Sequence, residues 1–179
     1  GVNVGVDISP HYLHKMFDCA CLTMGAGQPR DLTVAGRGYD NIHFAMDFLT
    51  LQNRLNTGEP VDSKQMISAR GKDVVVIGGG DTGSDCVGTA RRQGAKSITQ
   101  IEILPEPPQE RPQDTPWPMW PRTMRTSSSH QEGCQRLWGV MTKRIAGVGT
   151  RVSRLHCCRV EWGNKDGRWE MRDVENSEF

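Results

Sequence analysis

The chain has 179 residues, with 22 Lys or Arg against 21 Asp or Glu, a formal charge of +1, and 36% hydrophobic residues. That length suits one domain, or a domain and a piece, with room for a real core. The near-neutral balance gives no support for a nucleic-acid or polyanion partner, no apolar run has the length of a membrane span, and no secretory leader is visible, so neither nucleic acid nor membrane is expected.

Ser9-Pro10 has the form of a helix start, Ser as cap and Pro in the first helical position, and predicts a helix over about residues 11–16. From Asp18 to Met24, Cys19 and Cys21 alternate inside an apolar run, which reads as a half-buried strand. That strand would end in a small-residue turn, Gly25-Ala26-Gly27. Residues 29–40 read as loop, punctuated by Pro29, Gly36 and Gly38. Phe44, Phe48, Leu51 and Leu55 recur at helical spacing and define the core face of a helix rather than an aromatic cofactor box. Residues 56–71 read as a polar connector.

The most informative stretch follows. Asp73-Val-Val-Val-Ile77 is a short β-branched run, the pattern of a buried strand. It stops at Gly78-Gly79-Gly80-Asp81-Thr82-Gly83, and a helix is expected from Asp81 to Gln93 with Gly94 as its C-terminal glycine. Gly78-x-Gly80-x-x-Gly83 between strand and helix is the dinucleotide fingerprint in its required context. Gly78 would permit the tight turn, Gly80 would let backbone approach phosphate, and Gly83 would let the helix pack closely. The free N–H groups of the first helical turn would then face a pyrophosphate, aided by the helix dipole. A nicotinamide or flavin nucleotide is the expected ligand. Asp81 and Thr82 at the helix start serve equally as caps.

Ser97 to Leu104 reads as the second strand of this unit. Residues 105–121 then carry seven prolines with Trp117 and Trp120 between them, which fits an ordered loop with its tryptophans packed down better than a polyproline ligand segment. Ser127-Ser-Ser-His130 followed by Glu132 predicts a short helix, and Leu137 to Ile145 another strand. Arg151 to Trp162 alternates as a strand, residues 163–167 form a turn, and Arg168 to Val174 pairs back as a hairpin.

Other chemistry finds little footing. The six cysteines, Cys19, Cys21, Cys86, Cys134, Cys157 and Cys158, form no C-x-x-C pair. They read as reduced thiols of a cytoplasmic or other reducing compartment. The five histidines lack metal-ligand spacing, so no metal site is expected. His130 beside three serines lacks a nucleophile-elbow frame, and no catalytic side chain is assigned.

Several stretches together resemble the glutamate synthase small (beta) subunit. They are Gly78-Gly-Gly-Asp-Thr-Gly-Ser-Asp-Cys86, Glu110-Arg-Pro with Pro116-Trp-Pro-Met-Trp-Pro121, and Ser127-Ser-Ser-His-Gln-Glu-Gly133. Met141-Thr-Lys-Arg144, Val160-Glu-Trp162 and Met24-Gly-Ala-Gly-Gln-Pro-Arg-Asp-Leu32 are similar too. The resemblance implies an α/β fold: a Rossmann-like doubly wound sheet with a C-terminal hairpin or meander, plus a partial connecting segment of a flavin domain. Residues 1–44 would be that segment and residues 45–179 the NAD(P)H-binding domain. It also implies an oxidoreductase in which NADH or NADPH gives hydride to FAD. Electrons would pass by iron–sulfur clusters to a large (alpha) subunit or fused large domain, which makes glutamate from glutamine and 2-oxoglutarate. Neither the family's flavin fingerprint nor its cysteine-rich N-terminal region is present. The chain is therefore expected to be a fragment, inactive alone, that binds nicotinamide nucleotide and holds FAD poorly.

The expected cofactor-binding residues are Gly25, Ala26, Gly27, Gly78, Gly79, Gly80, Asp81, Thr82, Gly83, Glu106 and Arg111. Coenzyme preference normally sits at the end of the second strand. There Glu106 would repel a 2′-phosphate or stand as a solvated loop acid; Arg111 could offset it, and Glu102 is an alternative ribose partner. The balance leans to NADH. Two rival readings are a non-catalytic nucleotide-sensing module and a related flavoprotein reductase; a methyltransferase is a weaker third.

Overall fold

The computed structural model describes residues 1–179 except Met24 and Ala26. The chain falls into two compact units, residues 1–31 and 32–179. In the first, α1 spans Pro10–Met16, and the Ser9 hydroxyl accepts from the Tyr12 N–H at 3.1 Å. That cap and Pro10 start the helix as its sequence signals. The expected strand over residues 18–24 is corrected: the described part, residues 18–23, is irregular, and Cys19 and Cys21 are exposed. Alternation supplies a pattern, but a strand needs a neighbour for its backbone groups, and none pairs with it among the described residues.

The second unit holds the core. α2 (Ala45–Asn56) follows Phe44, which serves as its N-cap. β1 (Asp73–Ile77), β2 (Ser97–Glu102) and β3 (Gln135–Trp138) form a parallel sheet in that order. α3 (Asp81–Arg92) is the crossover from β1 to β2, and Gln93 is its C-cap. Its buried side, with Cys86, Val87 and Ala90, meets Val76, Ile98, Ala69 and Ala95, while Phe48 and Leu49 of α2 pack against the same cluster. Small side chains on α3 let helix and sheet approach closely, and burial of this apolar surface drives the packing. On β1, Val76 is buried, whereas Val75 and Ile77 on the opposite side are about half exposed.

The strand expected over residues 137–145 is two strands. Gly139 separates β3 from β4 (Val140–Val148), which leaves the parallel sheet and joins an antiparallel one. β5 (Arg151–Lys165) pairs with β4 along its first half and with β6 (Arg168–Asp173) along its second. Its length lets one strand serve two partners. Ile101, Val140 and Cys157 form a small core between the two sheets, flanked by Leu137 and Leu155. The proline-rich loop is ordered, yet its tryptophans are not packed down: Trp117 is 84% and Trp120 73% exposed. The Arg111 guanidinium organises the loop instead, donating to the carbonyls of Thr115 at 3.0 Å and Met119 at 3.2 Å. The guanidinium of Arg125 lies over the Trp120 ring at 4.0 Å from its centroid.

All six cysteines are free thiols. Burial pushes the Cys86 thiol up to about 11 and raises Cys157 and Cys158 as well. In a DTNB assay on the native protein at mildly alkaline pH, the exposed Cys19 and Cys21 should react quickly, with Cys86, Cys157 and Cys158 reacting only after denaturant is added.

Candidate functional site

The site forms where β1 ends and α3 begins. Gly78 leaves the strand with a φ of +119°, a conformation that a side chain would strain. Its N–H donates to the Ile101 carbonyl at 2.8 Å, and its own carbonyl accepts from Gln100 Nε2 at 2.9 Å. Both donor and acceptor come from β2, so the parallel neighbour fixes the turn. Gln100 is 2% exposed. The first turn of α3 lies directly on this arrangement: a Cβ on Gly83 would stand 2.5 Å from the Gly78 carbonyl oxygen and 2.9 Å from Gln100 Nε2. Gly83 is thus the close-packing glycine of the fingerprint.

Gly80 has the opposite environment. It is the N-cap of α3, exposed, with no side-chain cap bond, and a Cβ there would meet nothing within 4 Å. Asp81 and Thr82 are exposed beside it. The helix therefore presents uncapped backbone N–H groups and its positive dipole end to an open space. An anion of phosphate type suits those exposed N–H groups, and a pyrophosphate is the group such a turn takes. These residues suit a dinucleotide, and no group of three metal-ligating side chains occurs among the described residues.

The acid at the edge of the turn is Glu102, the last residue of β2. Its Oε2 accepts from the Gly79 N–H at 2.5 Å, and its Oε1 accepts from the Leu104 N–H at 3.2 Å. Glu106 lies farther along the loop and is exposed. Arg111 is committed to the loop carbonyls already described. The structure thus brings together Gly78, Gly79, Gly80, Asp81, Thr82, Gly83 and Glu102. Gly25 and Gly27 belong to the other unit and are exposed there, and Ala26 lies outside the described residues.

Sequence reasoning missed a second layer behind the turn. α4 (Ser128–Gln131) is a single turn with Ser127 as N-cap, and its His130 reaches Gln100 through Nε2 at 2.8 Å. The Ser127 hydroxyl lies 2.5 Å from that of Ser84 on α3. Burial, with a smaller contribution from the Arg136 guanidinium, holds His130 below the usual histidine value. The only signal in the sequence was the Ser127-Ser-Ser-His130 cap pattern, which marked a helix start and not its neighbour.

No protein-family model matches the chain. Over its whole length it is 45% identical to a region of the glutamate synthase [NADPH] small chain of Mycobacterium tuberculosis, covering 36% of that protein. It is 42% identical, over 96% of its length, to 8% of glutamate synthase [NADH] of Schizosaccharomyces pombe. The chain thus spans roughly a third of the small chains it matches. FprA from Mycobacterium tuberculosis in complex with NADPH aligns with 99% of this chain and 51% of its own, at 16% identity and a TM-score of 0.58, a likeness of fold.

Because Gly83 has no space for a methyl group, Gly83→Ala should lift α3 from the turn. Urea denaturation should then show a loss of about 1–3 kcal/mol, the usual range for overpacking a tight contact.

Proposed function

We propose that this chain, a homologue of one region of the glutamate synthase small chain, forms the NAD(P)H-binding part of such an oxidoreductase. The observation that carries the proposal is the open, uncapped helix start at Gly80, held between β1 and β2 by the two bonds of Gly78. Backbone N–H groups from Gly80 through Gly83 would receive the pyrophosphate, with Asp81 and Thr82 at the rim. The chemistry supplied on binding is hydride donation from NADH or NADPH to FAD in the complete protein, with electrons passing on to the large subunit for glutamate synthesis from glutamine and 2-oxoglutarate. In this reading residues 45–179 carry the nicotinamide nucleotide and residues 1–44 belong to the flavin-domain connection, where Gly25, Ala26 and Gly27 would contribute to cofactor binding. The large subunit or a fused large domain is the proposed partner, and the cytoplasm the proposed location. No helix among the described residues is long and apolar enough to cross a membrane.

Glu102 would sit at the adenosine ribose. A carboxylate already held on the Gly79 amide can accept a ribose hydroxyl, and it repels a 2′-phosphate. Glu106 extends that negative edge, and Arg111 would act through the loop it holds. This arrangement would favour NADH over NADPH.

Titration calorimetry with NADH and NADPH tests the reading. Gly80→Ala places a methyl in the open cradle, so it should leave the unfolding midpoint nearly unchanged and weaken both coenzymes by about tenfold or more. Glu102→Gln keeps the shape and removes the charge; the NADPH-to-NADH affinity ratio should rise by about three- to tenfold. If neither reduced coenzyme binds the folded chain at millimolar concentration, the proposal fails.

A further inference from the structure

Behind the glycine turn runs a part-buried hydrogen-bond chain whose far end is a histidine. The His130 side chain completes the capping box of α4, where Nδ1 accepts from the Ser127 N–H at 3.2 Å. Nδ1 also lies 3.0 Å from the Ser127 hydroxyl, which can give or take a proton; the backbone N–H can only give one, and an Nδ1 that accepts it carries no proton of its own. The imidazole proton then resides on Nε2, and the 2.8 Å contact to Gln100 Oε1 is a donation from histidine to amide. That donation orients Gln100. With Oε1 turned to His130, Nε2 faces the Gly78 carbonyl at 2.9 Å and donates to it. The flipped amide would set donor against donor at one end and acceptor against acceptor at the other.

We propose that His130 is a positioning residue for the nucleotide site, its neutral imidazole fixing Gln100 and thereby the Gly78 carbonyl and the turn that presents the α3 amides. The proposal rests on the dinucleotide reading for its functional half; its structural half concerns the turn alone. Protonation of Nδ1 would end its bond from the Ser127 N–H and turn the new proton toward the Ser127 hydroxyl 3.0 Å away, so a charged ring shifts from its place and disturbs its hold on Gln100. The charged group acting on the ring is Arg136 on β3, whose guanidinium further disfavours a second positive charge, while the ion pair of Arg92 with Glu132 ties α3 to the residue just beyond α4. Gln100 on β2 is uncharged. With the folded histidine held below its ordinary value, the turn stays ordered at neutral pH and loosens as pH falls through that lowered value.

The test uses the whole chain and two readouts. NMR titration from pH 8 to pH 5 should show the Gly79 and Gly80 amides inflecting together with the His130 ring. Calorimetry with ADP-ribose, a probe whose own charge is constant across this range, should show affinity falling by about three- to tenfold from the top to the bottom of the titration, the worth of one net hydrogen bond. His130→Asn retains an acceptor for the Ser127 N–H and removes the donor to Gln100; it should weaken ADP-ribose at pH 7.5 by a similar factor and flatten the pH profile. His130→Gln, which carries an amide donor toward Gln100, should recover part of the affinity. Loop amides indifferent to the His130 titration overturn the proposal from the wild-type protein alone. So does a folded His130→Asn variant with unchanged affinity and profile. If wild-type protein takes no ADP-ribose at pH 7.5, the dinucleotide reading falls, and the amide titration still decides whether His130 governs the turn.

Discussion

The site depends on one residue held at both ends. Gly78 gives its N–H to the backbone of β2 and receives the Gln100 side-chain amide on its carbonyl. A turn that leaves a strand with positive φ has no regular partner for its polar groups, and at this depth an unmade bond is costly. β2 satisfies both backbone groups of Gly78. Strand spacing, helix placement and the opening at Gly80 all follow from where that carbonyl points. Because Gln100 is buried and its oxygen is also satisfied, the network is closed and therefore stiff.

That stiffness explains why the three fingerprint glycines are glycine for different reasons. Gly83 is excluded from having a side chain by atoms already present, and Gly78 by its backbone angle. Gly80 meets nothing nearby, so neither packing nor, with its φ of −76°, backbone strain requires glycine there. A position that costs a free chain little to substitute points to a requirement outside the chain, and an approaching phosphate is such a requirement.

How much of this was legible in the sequence divides along physical lines. β1, α3 and the turn between them are local: a β-branched run, a glycine cluster and a helix carrying small apolar residues announce themselves in sequence order. The hairpin of β5 and β6 was legible for the same reason, since its turn chemistry lies between the paired strands. Pairing with a distant segment was not. Asp18 to Met24 has the alternation of a strand without, among the described residues, the neighbour that makes one. Trp117 and Trp120 looked like core by residue type, yet the loop is organised by hydrogen bonds from Arg111. Gln100 lies in a strand where alternation gives its face but not its task, and His130 reaches it across thirty residues of sequence. In the sequence Glu102 reads as the alternative to Glu106, since it falls within the strand; its register at the strand's last residue is what brings its carboxylate onto the Gly79 amide.

The antiparallel sheet contributes to the site without forming part of it. The end of β2 is the place where Glu102 must be held, and strand ends fray unless they are tied down. Here the Trp162 indole N–H donates to the Ile103 carbonyl at 2.8 Å and the Gly139 N–H to the Leu104 carbonyl at 2.9 Å, while Val160 returns a bond to Gly139 at 2.8 Å. Those three bonds carry β2 past its last ladder pair into the base of the meander. Ile101, on the strand beside Gln100, is buried with Val140 and Cys157 at the same junction. The hydrophobic contact and the bonds act on one short segment from two sides, so the carboxylate of Glu102 is positioned by residues some sixty places later in the chain. A glycine turn can be written in six residues, but its charged edge requires the C-terminal sheet.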